Sequence, residues 1–281
     1  MAQEQRQQKP ASFRSLRMAE TPEHPVEPRD SATVILARDG AEGPEIFMLE
    51  RALRADFIGG AYVFPGGTVD AADRDAALAA VTDGPTPQEA AIPMQAPPDR
   101  ALGFYLCAIR ETFEEAGALL ARRDGALCPV DDALDAERAQ LNAGSLTLAR
   151  FAQRYGLRFA ADLLHPWARW VTPSASPKRY DARFFVASMP EGARDLLHDD
   201  VESASSLWIR PADALARHAG GEFPMIFPTR VTLTQIARIR GVDELIAAGA
   251  RRDLSPVEPE IVQVGDAVKL LVPGDPDPYD P

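Results

Sequence analysis

The stretch Leu102-Gly103-Phe104-Tyr105-Leu106-Cys107-Ala108-Ile109-Arg110-Glu111-Thr112-Phe113-Glu114-Glu115-Ala116-Gly117 decides how this chain is read. Projected at about 100° per residue, Leu102, Leu106, Ile109, Phe113, Ala116 and Leu120 fall within about 40° of one direction. They mark the buried face of a helix expected over 100–122. Glu111, Glu114 and Glu115 gather on the opposite side, with Arg110 between the two faces. Taken alone, three glutamates opposite an apolar stripe read as a solvated surface. Glu111, however, forms like-charge pairs with Glu114 and Glu115, each costing roughly 0.2–0.5 kcal/mol, and no base stands four residues on to compensate. A divalent cation turns that repulsion into binding. Hard Mg²⁺ or Mn²⁺ prefers carboxylate oxygens and keeps several waters and a substrate phosphate as its other ligands.

Upstream, 32–37 reads as a buried strand, 39–44 is dense in turn formers and 46–49 reads as a second strand, a hairpin. Gly59-Gly60-Ala61-Tyr62-Val63-Phe64-Pro65-Gly66-Gly67 is a short strand running into a glycine-rich turn. Residues 71–100 have little periodicity and read as an insertion with one short helix at 72–81. Downstream, helices are expected at 131–142 and 145–155, and strands at 167–172, 183–188 and 206–210. Pro211 suits the first turn of a helix over 211–219. Helices at 229–239 and 242–248 follow, then a strand pair at 261–264 and 268–272. Strands and helices do not alternate regularly, so the fold class is α+β, a sheet sandwiched between helices.

The 281 residues carry 42 acidic and 30 basic side chains, a net charge of −12. That balance speaks against a sequence-independent grip on nucleic acid and against docking on an anionic membrane. No run of apolar residues is long enough to span a bilayer. Hydrophobic residues at 46% and charged ones at 26% describe an ordinary globular chain. The two cysteines, Cys107 and Cys128, sit in no CxxC pair or Cys/His cluster and read as reduced thiols of a cytoplasmic protein. Residues 1–30 are polar, lack an apolar signal region and read as a flexible tail, the amphipathic patch at 12–18 included.

Arg110-Glu111-x-x-Glu114-Glu115-x-Gly117, following Val63-Phe64-Pro65-Gly66-Gly67, resembles the signature of the Nudix hydrolases: Gly, five residues, Glu, seven residues, Arg-Glu-U-x-Glu-Glu-x-Gly-U, where U is bulky and aliphatic. The second half matches at every charged position and at Gly117, with Thr112 and Ala118 weak at the U positions. The first half departs from it. After Gly67 and five intervening residues the count reaches Asp73, not Glu, and 36 residues then precede Arg110, an excess of 29. Such an insertion resembles the branch related to the peroxisomal coenzyme A diphosphatases. Arg169-Trp170-Val171-Thr172-Pro173, Arg183-Phe184-Phe185 and a Gly-Asp-Pro ending look like that branch too. The resemblance implies a single Nudix domain over 31–275, with 71–100 inserted, 211–275 as a C-terminal extension and 276–281 as a tail. It also implies that Mg²⁺ or Mn²⁺ is held by Glu111, Glu114, Glu115 and the Gly67 backbone. The implied catalytic machinery is Arg110, Glu115 and Glu202, with Arg110 orienting a carboxylate and Glu115 or Glu202 acting as base. The implied substrate is a nucleoside diphosphate derivative, coenzyme A or acyl-coenzyme A first. ADP-ribose, dinucleoside polyphosphates and nucleotide sugars are the rivals, and a non-catalytic nucleotide sensor is the alternative of another class. Relatives of this kind allow a homodimer, which no repeat or heptad here specifies. The insertion reads as a lid over the cleft or as a surface ornament.

Glu202, in Asp199-Asp200-Val201-Glu202, precedes the strand at 206–210 and is the best match to a carboxylate that arrives over the metal site, with Asp200 as the fallback. Arg179, Asp181 and Arg183 share one strand face by period two. Arg179 and Arg183 are expected to hold a substrate phosphate, the competing reading being an ion-paired sheet face. His24, His165, His198 and His218 are dispersed and receive no ligand role.

Overall fold

The computed structural model describes residues 24–52, 59–190, 196, 203–264 and 267–272. The hairpin forms as β1 (Arg29–Gly40) and β2 (Gly43–Arg51). Both strands outrun their apolar centres because their polar ends still find ladder partners, Arg29 opposite Tyr180 and Arg51 opposite Ser203. β1 therefore starts inside the stretch expected to be tail. Next, β3 (Tyr62–Val63) pairs with β2, and β4 (Gly66–Thr68) pairs with β1. Two 3-10 turns (Ala71–Arg74 and Ala76–Val81) stand where one short helix was expected. They lead through β5 (Thr82–Asp83) and α1 (Pro87–Met94) to α2 (Pro98–Ala116).

Helix α2 opens with Pro98 in its first turn, where a missing N–H costs nothing. It stops at Gly117, which adopts the left-handed conformation at φ 73° and donates its N–H to the Phe113 carbonyl. The helix expected to reach 122 thus ends at Ala116. The chain turns instead into β6 (Ala121–Arg123), then β7 (Ala126–Leu127), α3 (Asp132–Asp135), α4 (Arg138–Asn142), α5 (Leu148–Tyr155) and β8 (Arg158–Ala160). A small sheet in the order β5-β8-β6-β7 gathers these short strands.

The main sheet continues with β9 (His165–Val171), β10 (Tyr180–Ser188) and β11 (Ser203–Ile209). Helices α6 (Pro211–Ala219), α7 (Phe227–Ile236) and α8 (Val242–Gly249) and strands β12 (Pro256–Val257), β13 (Glu260–Val264) and β14 (Ala267–Leu271) close the chain. Main-sheet order is β11-β2-β1-β10-β9-β12, mixed in direction, with β1 and β10 parallel. Strand alternation splits the interior in two. Ala32, Val34 and Leu36 face the layer of Met94, Phe104, Phe113 and Phe151. Ile35 and Ala37 face Phe227, Leu233, Ile236 and Leu245. Both faces of the sheet are therefore covered, the α+β sandwich expected. The C-terminal helices form one of its layers. The insertion is likewise built in: Leu78, Ala90 and Met94 are buried in the core that α2 shares.

Candidate active site

Helix α2 and the β3–β4 turn make the site together. Glu111, Glu114 and Glu115 project from the last turns of α2, Glu111 and Glu115 against Gly67 and Gly66. Gly66 donates its N–H to Glu115 Oε2 at 2.7 Å. Gly67 lies so close that a Cβ on it would stand 2.3 Å from Glu111 Oε1. Gly66 has φ 156°, and its own Cβ would meet the Ala32 carbonyl oxygen at 2.4 Å. Only glycines let the turn approach both the helix carboxylates and strand β1.

Arg110 organises the cluster. Its Nε and Nη2 donate to the two carboxylate oxygens of Asp73, each at 2.9 Å, and Nη2 also donates to the Thr68 carbonyl at 3.0 Å. Its Nη1 bridges Glu111 Oε1 at 2.9 Å and Glu114 Oε2 at 3.0 Å. Burial works against the charge on Arg110, but the Asp73 hydrogen bonds and the field of Glu111 outweigh it and hold the guanidinium well above its ordinary range. Asp73 is itself 1% exposed and accepts the Asp70 N–H at 2.9 Å, which locks the first 3-10 turn against α2. Arg110 thus holds the carboxylates of Asp73, Glu111 and Glu114 in place.

The solvated-surface reading of the glutamate face fails. Glu114 is 5% exposed and Glu115 6%. Burial drives the Glu114 carboxyl up to about 7, with Arg110 pulling it down and Glu111 pushing it up. Its Oε1 is buried without a hydrogen-bond partner, a state that native structures rarely leave unused. Among the described residues, no three His, Cys, Asp or Glu side chains stand arranged as a finished metal cage, since Arg110 draws Glu111 and Glu114 onto itself. The donor set still fits a hard divalent cation: oxygens only, one of them an orphan, beside a backbone turn. Cys107 lies beneath this turn, 3.7 Å from the Gly67 carbonyl oxygen, and burial pushes its thiol well up, so it is no nucleophile.

The structure gives Arg179 and Arg183 to other work. Arg183 is 3% exposed, donates twice to the Met94 carbonyl at 3.0 and 2.7 Å, pairs with Asp181 and covers the Phe104 ring. Arg179 donates to the Thr172 and Val26 carbonyls and pairs with Glu258. Asp181 accepts Arg169 as well. The ion-paired sheet face replaces the phosphate clamp, because fold-internal acceptors take up these guanidinium groups. Glu202, with Asp199, Asp200 and His198, lies outside the described residues. His165 is half-buried, and burial lowers its pKa; His218 Nδ1 sits 2.9 Å from the Phe223 carbonyl oxygen.

Two residues of the site have a weaker sequence signal. Asp73 follows Gly67 with five residues between them, and that count alone pointed to it. Arg138 had no signal; from α4 it donates to the Glu114 carbonyl at 2.9 and 3.3 Å and so caps the carboxylate end of α2.

Comparison with known proteins agrees with this geometry. The family model described as the NUDT19 Nudix domain matches residues 28–236. The chain is 29% identical to the acyl-coenzyme A diphosphatase NUDT19 of Gallus gallus, covering 88% of this chain and 79% of that relative. It is also 29% identical to the Homo sapiens protein of the same name, covering 84% of this chain and 72% of the relative. Among solved structures, a NUDIX hydrolase from Alicyclobacillus acidocaldarius superposes with a TM-score of 0.65 at 32% identity, covering 75% of this chain and 92% of that one.

Proposed function

This chain belongs to the Nudix hydrolases of the NUDT19 type, and on that premise we propose that it cleaves the diphosphate of coenzyme A or an acyl-coenzyme A with the help of Mg²⁺ or Mn²⁺. The observation that carries the site assignment is Glu114, buried with an unpartnered Oε1 between two further carboxylates on one rigid helix. The relatives named for acyl-coenzyme A hydrolysis support the choice of substrate.

Glu111, Glu114 and Glu115 would hold the metal, with the Gly67 carbonyl as a further oxygen. A bound divalent cation supplies charge neutralisation at phosphate oxygens and a more acidic water. Arg110 and Asp73 fix the rotamers of Glu111 and Glu114 through the hydrogen bonds above. Gly66 fixes Glu115 through its N–H. Glu115 is the described carboxylate we assign as acceptor of the attacking water's proton, and Glu202 is the competitor. The base lowers the rate by about 10²–10⁴ when made an amide, so kcat of Glu115→Gln set against Glu202→Gln decides between them.

The test of the whole reading is a panel of coenzyme A, ADP-ribose, a dinucleoside polyphosphate and a nucleotide sugar at equal concentration, with and without Mg²⁺ or Mn²⁺. Coenzyme A is expected to be cleaved fastest, and only with metal. ADP-ribose turning over as fast or faster overturns the substrate, and metal-free cleavage overturns the site. We also place the protein in the cytoplasm, a reading supported by two buried free thiols, Cys107 and Cys128; recovery from an oxidising compartment on fractionation defeats it.

A further inference from the structure

The carboxylate end of α2 is held from outside by a residue that no motif singles out. A helix end leaves its last carbonyls without intrahelical donors. The Phe113 and Thr112 carbonyls accept the N–H groups of Gly117 and Ala118, at 2.9 and 3.4 Å. The Glu114 carbonyl goes to Arg138, which reaches it with Nη2 at 2.9 Å and Nε at 3.3 Å. Gly117 makes room for that fork, since a Cβ on it would stand 3.2 Å from Arg138 Nη1. Arg138 is itself held from behind. Its Nη1 donates to Asp135 Oδ1 at 3.2 Å. The preceding Glu137 is buried and accepts Tyr155 Oη and Arg154 Nη1, each at 2.7 Å, and Gln140 Nε2 at 2.6 Å. Helix α5, which carries Arg154 and Tyr155, also stacks Phe151 on Phe113 of α2, with ring centroids 5.6 Å apart. Helices α4 and α5 thus brace the last turns of α2 at two points.

Glu114 is therefore tied at both ends. Arg110 holds its Oε2 at 3.0 Å and Arg138 its carbonyl, while Oε1 stays buried without a partner. A positive charge at a helix C-terminus favours the helix itself. Toward a second cation the same charge is repulsive, so a guanidinium acting by charge alone would weaken metal binding. A fork acting by position does the opposite, because ligands already held in place lose less freedom when the metal arrives. We propose that Arg138 is a positioning residue of the metal site, which holds the Glu114 backbone so that Glu114 and Glu115 are presented to a divalent cation together. This role rests on the metal assignment made above.

The test is a calorimetric titration of Mn²⁺ into the metal-stripped full chain, without substrate, for the wild type, Arg138→Lys and Arg138→Gln. Arg138→Gln is expected to bind Mn²⁺ about tenfold more weakly. Arg138→Lys, which keeps the charge and loses the two-pronged fork, should fall between the two. The sign of the change separates position from charge: binding by Arg138→Gln as tight as the wild type, or tighter, overturns the role. So does a lowered Tm at an unchanged Kd, which is what a cap serving stability alone would give. Where Arg138→Gln does not fold, Arg138→Lys carries the test, with weaker binding than the wild type required of it. In turnover, the Mn²⁺ concentration for half-maximal rate should rise by a larger factor than kcat at saturating Mn²⁺ falls, and the reverse split counts against a positioning role. A wild type that binds no Mn²⁺ removes the metal site and this role with it. Equal binding by all three proteins removes the role of Arg138 alone and leaves the metal site standing.

Discussion

Gly66 and Gly67 are neighbours that respond differently to the same methyl group. At Gly66 the obstacles are backbone, the Ala32 oxygen at 2.4 Å and the Thr33 Cα at 2.7 Å, and φ is 156°. Neither can retreat without moving β1. Gly66→Ala is therefore expected to cost on the order of 3 kcal/mol or more, seen as a large drop in Tm. At Gly67 the obstacle is the end of the Glu111 side chain, its oxygens at 2.3 and 2.7 Å, which can swing aside. Gly67→Ala should nearly keep its Tm while binding Mg²⁺ at least about tenfold more weakly, because the carboxylate that moves is a proposed ligand. Equal losses of Tm in the two variants would contradict this contrast. Glu114 supplies a second residue-scale prediction. Its folded carboxyl lies near 7 against an ordinary 4.5, so the folded chain holds a proton that the unfolded chain releases. The proton's stabilising effect is whole below about 4.5 and is lost as pH rises through 7, a swing of roughly 3 kcal/mol. Glu114→Gln lacks the swing. In chelator its Tm should rise relative to the wild type between pH 5 and pH 8, and a constant difference across that range would sink the argument.

At the scale of elements, Arg183 ties β10 to the inserted α1 through the Met94 carbonyl. Arg183→Met fits the same volume but leaves that carbonyl without its two donors, while Asp181 keeps Arg169. A loss of about 2–4 kcal/mol in stability is expected, with KM for the substrate within about twofold. A raised KM at unchanged Tm would restore the phosphate-clamp reading. This tie also shows what the sequence leaves hidden. The α2 face was legible because its period of 3.6 is carried by Leu102, Leu106, Ile109 and Phe113, and the spacing of Arg110, Glu111, Glu114 and Glu115 is local to one helix. Pro211 marked the start of α6 to the residue. The small sheet was not legible, since β5 and β7 are two residues long and β6 and β8 three, too short for alternation to register. The partners of Arg179 and Arg183 were hidden for another reason. They are mostly backbone carbonyls, of Thr172, Val26 and Met94, and carbonyls carry no residue-type signal. The burial of Glu115 was not legible because part of its cover comes from a glycine turn 49 positions away.

For the molecule as a whole, the charge of −12 and the carboxylates around Arg110 make opposite demands on salt. Like charges spread over the surface repel weakly, and any electrolyte screens them over a Debye length of about 10 Å at 0.1 M. The buried cluster is different. Glu114 and Glu115 are shielded from diffuse counterions, so the repulsion that Arg110 leaves unbalanced is offset by an ion that enters the site and not by added salt. A ligand that binds the folded chain alone adds about 2.7 kcal/mol at a concentration of 100 Kd. For a chain of this length that corresponds to roughly 5 °C in Tm. Mg²⁺ or Mn²⁺ should therefore raise Tm by about that much beyond NaCl at equal ionic strength. The double variant Glu114→Gln and Glu115→Gln should keep only the NaCl-sized part of the gain while folding normally. Scanning unfolding of both proteins in matched salts checks this, and an equal divalent gain in the double variant would move the metal away from α2.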